Sequence, residues 1–395
     1  MTNEFSARAA IVGLGTSAIG RVYGKSSAEF AADAVAAAVA DAGLSMDDID
    51  GVLTTQGRIA PSGVSVAATL GLRDLTLEMV NLEMFGASTA AAVQYAAMAI
   101  QAGMARNVVY VHADAPLKEP GASGGAAYGS YAMNRSPAGF PALDTAIGLR
   151  GANEQYALFT RRHMEKYGTT SEQLGAIAVA QREWATMNPM AQMRTPITIE
   201  DHQNSRWIAE PLHLLDCCLV SNGAVAVVIT AAERAPDLQR PPVYIWGWGQ
   251  GHLGHPRARG SELGLVSGAG LAGRQAFAMA GIGLDDIDVR EFYDCYTFTV
   301  LLTLEDYGFV PKGDGGPFAA TGELGPGGSM PTNTGGGQLS AFYLVGTQPL
   351  YESVVQVRGD GGDRQVARHD FALCSGQGGI LEHHATLILG AHPRD

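Results

Sequence analysis

AGLSMDDID at residues 42–50 and AGIGLDDID at residues 280–288 are one phrase written twice, about 238 residues apart. In both places an Ala-rich helical pattern precedes the phrase and a strand-like segment follows it. The offset is far too long for a solenoid period. It fits two copies of one α/β domain, the first carrying a long insertion. Pro-containing residues Ala235 to Pro242 read as the linker, which divides the chain into halves at 1–238 and 239–395. Ala9–Leu14 opens the first half as a short apolar strand, and Val243–Trp248 opens the second in the same way.

Outward from the repeat, strands and helices alternate. Ser26 and Ser27 precede an Ala-rich amphipathic run to about Asp41, followed by a strand at Gly51–Thr55. A helix pattern covers Thr89–Gly103, a strand follows at Asn107–His112, and Ala224–Thr230 reads as another buried strand. Such alternation predicts a largely buried sheet covered by helices. The insertion, about 116–215, starts Gly-rich (EPGASGGAAYGS). It then holds helical stretches at Asn153–Lys166 and Ser171–Met187, and excursions of this kind commonly shape a pocket or an interface.

Composition narrows the function classes. Of the 395 residues, 46% are hydrophobic and 16% charged, enough for a sizeable core and unlike a disordered chain. A formal net charge of −13 argues against a broad nucleic-acid or anionic-membrane surface. It leaves room for a local Arg or Lys cluster meeting an anionic ligand such as coenzyme A. Cys217, Cys218, Cys295 and Cys374 form no C-x-x-C pair. The opening MTNEFSARAAIVGLG lacks a basic start and long apolar run, and no apolar run reaches membrane-spanning length. A cytoplasmic setting is the expectation.

Four landmarks in order resemble the thiolase superfamily over essentially the whole chain, and in particular the sterol-carrier-protein type of thiolase and its non-thiolytic relatives. The first is VNLEMFGASTA at residues 80–90, where such thiolases read about V-N-N-N-C-S-T-G-S-T-A. Their Cys is the acyl-accepting nucleophile at a helix N-terminus, where the dipole lowers its pKa. Here that position is Met84, whose thioether cannot be acylated productively. The second is Phe292-Tyr293-Asp294-Cys295-Tyr296 against H-D-C-F, so the family His becomes Tyr293. The third runs from Asn333 through Gly335, Gly336 and Gly337 to Tyr343, against N-P-S-G-G-L-I-S-K-G-H-P, and its catalytic His becomes Tyr343. The fourth is Cys374-Ser375-Gly376-Gln377-Gly378-Gly379, where some thiolases keep a basic Cys and a turn N–H joins an oxyanion hole.

Loss of the Cys together with a Tyr at both histidine positions resembles the steroid side-chain aldolases, thiolase-fold proteins that split a β-hydroxyacyl-CoA by retro-aldol cleavage. The resemblance implies an αβαβα sandwich of two related halves with mixed five-stranded sheets, and a homodimer. It also implies a small OB-fold, zinc-ribbon-type protein partner and no cofactor beyond the coenzyme A of the substrate. Retro-aldol cleavage needs a base for the β-hydroxyl proton, donors for the thioester oxygen as it becomes an enolate, and an acid for the released carbon. No covalent intermediate is required. The substrate implied is a 17-hydroxy steroid C20-carboxyl-CoA, cleaved to a 17-ketosteroid and propionyl-CoA. A free phenol titrates near about 10, so a tyrosine base needs help from its surroundings. Tyr343 is assigned as base, with Tyr293 donating to the thioester oxygen or relaying the proton; the reversed assignment stays open. Asp294, Tyr296, Asn333, Gly376 and Cys374 are the supporting candidates.

Other signals carry less. Gly13-Leu14-Gly15-Thr16-Ser17-Ala18 matches a loose G-x-G-x-x-A, but loop residues intervene before the helix. His252 and His255 form an H-x-x-H in a Gly- and Pro-rich loop without a third ligand nearby. His383 and His384 fall just before the last strand and point to opposite faces. Arg150, Arg161, Arg162 and Arg257 are solvated charges that CoA phosphates can meet. Two rival readings remain: acyl transfer through Cys295 or Cys374, and a non-catalytic lipid or acyl-CoA binding protein.

Overall fold

The structure is a computed structural model describing residues 4–55, 65–79, 82–120, 142–143, 146–149, 151–254, 260 and 262–394. Val80, Asn81, Arg150, His255, Arg257 and most of the Gly-rich start of the insertion lie outside the described residues.

The doubled phrase folds twice in the same way. Helix Ser27–Asp41, capped by Ser26 with a Glu29 capping box, and helix Ala269–Ala280 each lead into a glycine at φ 72°, Gly43 and Gly281. Glycine accepts this left-handed conformation without penalty. Asp48 then accepts from Ser45 N at 2.8 Å, and Asp286 from Gly283 N at 2.8 Å. Each helix lies unusually close to its strand, because the strand offers glycines. A Cβ on Gly13 of β1 (Ala9–Thr16) would fall 2.1 Å from Ala38 O and 3.1 Å from Ala42 Cβ. On Gly247 of β8 (Val243–His252), it would fall 2.2 Å from Ala276 O and 3.1 Å from Ala280 Cβ. The Gly13-Leu14-Gly15 motif is therefore a helix-packing device.

The remaining strands are β2 (Gly51–Thr54), β3 (Leu77–Met79), β4 (Asn107–Asp114), β5 (Trp207–Ala209), β6 (Leu212–His213), β7 (Gly223–Ala231), β9 (Val289–Phe292), β10 (Phe371–Gly378) and β11 (His383–Gly390). They form a mixed sheet in the order β3-β2-β4-β7-β1-β8-β11-β10-β9, with β5 and β6 as a separate ribbon. The first half supplies five strands, as the resemblance implies, and the second supplies four. The two sets join through a short pairing, Ala10 to Tyr244 and Ile11 to Val243. Beyond β9 the fifth position is reduced to one parallel bridge between Arg290 and Thr332. Pro331 has no N–H to extend the ladder, and Asn333 turns the chain away at φ 52°. The last strand starts earlier than the sequence suggests and takes in both His383 and His384.

Helix Ser88–Gln101 packs on β4 and β7 on one side and on β10 and β11 on the other. Eleven of its fourteen residues are buried, most of them Ala, as a helix between two sheets requires. Gln94 ties it to both strands beyond, donating to Gly249 O and Thr386 O at 3.1 Å each. Helix Thr347–Arg358 shares this inner layer against β9, β10 and β11. Ser27–Asp41 covers the outer face of the first half, and Ala269–Ala280 that of the second. Among the described residues no helix is long and apolar enough to cross a membrane.

The insertion folds back onto the second half. Trp184 Nε1 donates to Leu324 O at 3.0 Å, Asn188 Nδ2 to Gly335 O at 2.8 Å and Arg182 Nε to Ser340 Oγ at 2.9 Å. Beneath that tract lies a buried ion pair, Arg364 to Glu352 at 2.8 Å. Thr334 N and Oγ1 both donate to Glu291 Oε1 at 2.8 Å. Burial, and then Glu352, raise the Glu291 carboxyl well above its ordinary range, which keeps it protonated beside the pair. Replacing Arg364 by Ala strands Glu352 without its counter-charge, at a cost of about 3–5 kcal/mol. Urea unfolding of Arg364→Ala is expected to show that loss, and an unchanged midpoint would contradict it.

Candidate active site

β9 delivers Tyr293. Phe292 N donates to Asn333 Oδ1 at 2.7 Å, and Tyr293 N to Ser375 O at 2.9 Å, carrying the pairing with β10 one step past the strand. The next residue, Asp294, does a different job. Its carboxylate accepts from Gln338 N at 2.9 Å and Leu339 N at 3.2 Å, which fixes the single wide turn Gly337–Ala341. That turn carries Tyr343, whose own N–H donates to Ser221 Oγ at 3.0 Å. Adjacent residues thus place one phenol and anchor the loop bearing the other. The two hydroxyls meet at 2.9 Å. Burial raises the Tyr293 phenol well above 10, and nearby Tyr343 raises it further, so Tyr293 keeps its proton.

Tyr293 sits against the turn Met84–Ala87, which leads into the inner helix Ser88–Gln101. Met84 N donates to Ser88 Oγ at 2.7 Å, and Met84 packs against the core. A Cβ on Gly86 would fall 2.2 Å from Gln377 O and 2.3 Å from Tyr293 Cζ, so the ring of Tyr293 lies directly over this backbone. A Cβ on Gly376 would fall 2.8 Å from Gly86 O, and one on Gly378 1.9 Å from Met84 O. The turn that holds Met84 is thus covered by the Tyr293 ring, to which Tyr343 is joined through the hydroxyl contact. The positive end of a buried helix dipole points at the same place, which favours a developing enolate.

The supporting candidates divide. Asn333 and Asp294 hold the loop, and Gly376 spaces β10 from the Met84–Ala87 turn. Tyr296 donates to Asn153 Oδ1 at 2.6 Å, which binds it to the inserted helix Ala152–Tyr167. Cys374 is buried among the aliphatic side chains of the inner layer, and burial pushes its thiol up. Burial does the same to Cys295. His384 is enclosed with Tyr307 and Ser375, burial lowering it to about 3, while His383 meets His252 across β11 and β8, Nδ1 to Nδ1 at 3.0 Å. Arg161 pairs with Glu210 at the surface at 3.0 Å. Two site residues escaped sequence reading. Tyr156, from the inserted helix, packs its ring tilted by 38° against Tyr296 at 4.6 Å, and Gln377 Nε2 donates to its hydroxyl at 2.6 Å. Only the helical period of the insertion hinted at Tyr156, and nothing local pointed it at β10.

Comparison with known proteins places this geometry. Residues 250–391 match the family described as thiolase C-terminal domain-like. The chain is 40% identical over 357 residues to the steroid side-chain-cleaving aldolase of Thermomonospora curvata, covering 89% of this chain and 90% of that one. It is 40% identical over 360 residues to the 17-hydroxy-3-oxo-4-pregnene-20-carboxyl-CoA lyase of Mycobacterium tuberculosis, covering 90% and 92%. The solved Ltp2-ChsH2(DUF35) aldolase superposes with a TM-score of 0.86 at 37% identity, over 99% of this chain and 100% of that one. A monomeric SCP2-thiolase-like protein type 1 from Mycobacterium smegmatis, at 22% identity and TM-score 0.75, covers 100% and 79% and shares the fold. Fold and site together define an enzyme of the thiolase superfamily. Within it, the chain belongs to the family of steroid side-chain-cleaving aldolases, carbon–carbon lyases.

Two outcomes follow from the geometry. In Gly86→Ala the new methyl displaces the Tyr293 ring, and a shift of about 1 Å at a reacting group costs roughly 100-fold in rate. Turnover should fall accordingly, with the folded fraction checked by near-ultraviolet circular dichroism. The second concerns Asp294, whose carboxyl burial pushes up to about 7 against the lowering effect of the main-chain N–H groups. Unfolded, it titrates near about 3.9. The folded state therefore binds this proton more tightly, and the contribution to stability is full below about pH 4 and lost as the pH rises to about 7. Asp294→Asn should flatten the pH dependence of unfolding free energy over that window, and an unaltered slope would contradict the assignment.

Proposed function

We propose that the chain cleaves a β-hydroxyacyl-CoA thioester by retro-aldol reaction, the substrate being a 17-hydroxy steroid C20-carboxyl-CoA. The products are a 17-ketosteroid and propionyl-CoA. The observation that carries the proposal is the 2.9 Å contact between Tyr293 and Tyr343 hydroxyls, against the turn where a thiolase holds its cysteine and this chain holds Met84. The names of the two 40%-identical relatives, a steroid side-chain-cleaving aldolase and a 17-hydroxy-3-oxo-4-pregnene-20-carboxyl-CoA lyase, agree with it.

Tyr343 takes the β-hydroxyl proton, its phenolate supported by the hydroxyl of Tyr293. The bond between C17 and C20 then breaks. Its electron pair moves through C20 to the thioester oxygen, leaving a C17 ketone and the enolate of propionyl-CoA. The tyrosine pair returns a proton to C20, so protons balance over the cycle and no acyl-enzyme forms. Tyr293, 2.9 Å from the Tyr343 hydroxyl and raised by burial, suits the role of donor to the Tyr343 phenolate and proton relay rather than base or thioester-oxygen donor. Acyl transfer through Cys295 or Cys374 is disfavoured by the same physics, because buried thiols with raised pKa values supply little thiolate.

The same reading extends to assembly. We place the chain in the cytoplasm as a homodimer, with the short strand β3 at the exposed sheet edge as the contact, and with a small OB-fold, zinc-ribbon-type partner. The Ltp2-ChsH2(DUF35) aldolase carries a second component in its name, which supports a partner here. No cofactor beyond the substrate's own coenzyme A enters the scheme.

Product analysis with the 17-hydroxy C20-carboxyl-CoA substrate and the partner supplied tests the proposal. Wild type should release both products. Tyr293→Phe and Tyr343→Phe should each lose about 100- to 10,000-fold in kcat, the range for removing a positioned acid or base. Full activity in both variants would sink the tyrosine mechanism.

A further inference from the structure

The retro-aldol electrons finish on the thioester oxygen, yet Tyr293 and Tyr343 are engaged with each other and with the β-hydroxyl. A separate donor is needed nearby, since the two substrate oxygens stand on carbons only two bonds apart. Gln377 stands at that place. Its main-chain carbonyl and the Tyr293 ring converge on the same Gly86 backbone, and its side-chain amide reaches Tyr156, which shares one buried cluster with Tyr293 and has Tyr343 packed against it. Its side chain is buried, 1% of the residue being exposed. One end of the amide meets Tyr156 at 2.6 Å, while the other end, Oε1, is buried with no partner among the described residues. An orphaned amide end is costly in a core, a cost that an apolar side chain at this position would avoid.

Turning a glutamine amide by 180° exchanges its N and O without moving its shape. In the turned form the Tyr156 hydroxyl donates to Oε1, and Nε2 is left free to donate. Tyr156 is suited to this, because burial raises its phenol well above 10 and keeps it protonated. It is also fixed in place, packed at a tilt against Tyr296 and in edge contact with Phe159 at 6.1 Å.

We propose that Gln377 contacts substrate, its side-chain N–H donating to the thioester oxygen as the enolate forms, and that Tyr156 of the inserted helix is the positioning residue that orients the amide. This rests on the retro-aldol reading above. It gives the insertion a chemical part in the site in addition to its packing on the glycine-rich tract.

The test uses wild type, Gln377→Glu, Gln377→Leu and Tyr156→Phe, each with the partner supplied, and two readouts. One is kcat and KM for cleavage. The other is exchange of the α-protons of propionyl-CoA with D2O, which needs enolate stabilisation but neither steroid nor β-hydroxyl. Gln377→Leu should lower kcat and exchange together by about 100- to 1,000-fold, as loss of an oxyanion donor does, with KM within about threefold. Tyr156→Phe should lower both by about tenfold. Gln377→Glu keeps an acceptor for Tyr156 but donates only when protonated. Its kcat relative to wild type should therefore recover as the pH falls, a response that simple packing damage does not produce.

Unchanged kcat and exchange in Gln377→Glu and Gln377→Leu, with wild type cleaving normally, would overturn this inference and leave the retro-aldol reading intact. Losses that merely track the unfolded fraction, without pH recovery in Gln377→Glu, would overturn it too. Absence of cleavage and of exchange in wild type would remove the retro-aldol reading, and this inference with it.

Discussion

The site depends on backbone touching backbone. The turn Met84–Ala87 enters between β10 and the start of helix Thr347–Arg358, and three glycines there make room for it. A Cβ on Gly346 would fall 2.3 Å from Gly86 O, with similar clashes from Gly376 and Gly378. Because these positions lack side chains, the N-terminus of an inner helix from the first half seats inside the second half. The dipole end and the two phenols then share one small volume. Larger residues at any of them would push apart what the chemistry needs together, which explains why so much of the C-terminal half is glycine-rich.

Much of this was legible in the residues, for identifiable reasons. The repeat announced two α/β halves because local patterns fix helix ends and turns: Gly43 and Gly281, Asp48 and Asp286 do the same work in both copies. The tyrosine positions were legible because β9 and the loop after Asn333 carry short motifs at fixed distances from Met84 and Gly376. Other features were hidden. Tyr156 and Gln377 come from segments 221 residues apart, and only packing of the insertion onto the second half joins them. The fifth strand of the second half was expected from the family resemblance alone, and Pro331 and the turn at Asn333 reduce it to the single Arg290–Thr332 bridge. Asp294 reads from sequence only as a supporting candidate, and the structure gives it a specific task, holding the turn that precedes Tyr343.

Replacing Cys by Met at the helix N-terminus removes the covalent route while leaving the field of that helix in place. In the proposed mechanism that field favours the enolate, and a thioether neither reacts nor demands a hydrogen bond there. The other thiols do not compensate, since Cys295 and Cys374 are buried and held protonated. What stands there is a pair of phenols in contact at 2.9 Å, which the proposed mechanism uses to pass one proton between an oxygen and a carbon. A β-carbon bearing a tertiary alcohol cannot be oxidised to the ketone that thiolysis requires, so cleavage without a nucleophile suits such a substrate.

The central claim is carbon–carbon cleavage with no covalent enzyme intermediate. A single-turnover reaction of the 17-hydroxy C20-carboxyl-CoA in D2O, sampled rapidly and read by intact mass of both protein and products, tests it most directly. The account predicts propionyl-CoA that carries one solvent deuterium at its α-carbon at early times, while the mass of the protein never changes. A protein species heavier by an acyl group that forms and decays with turnover would contradict it.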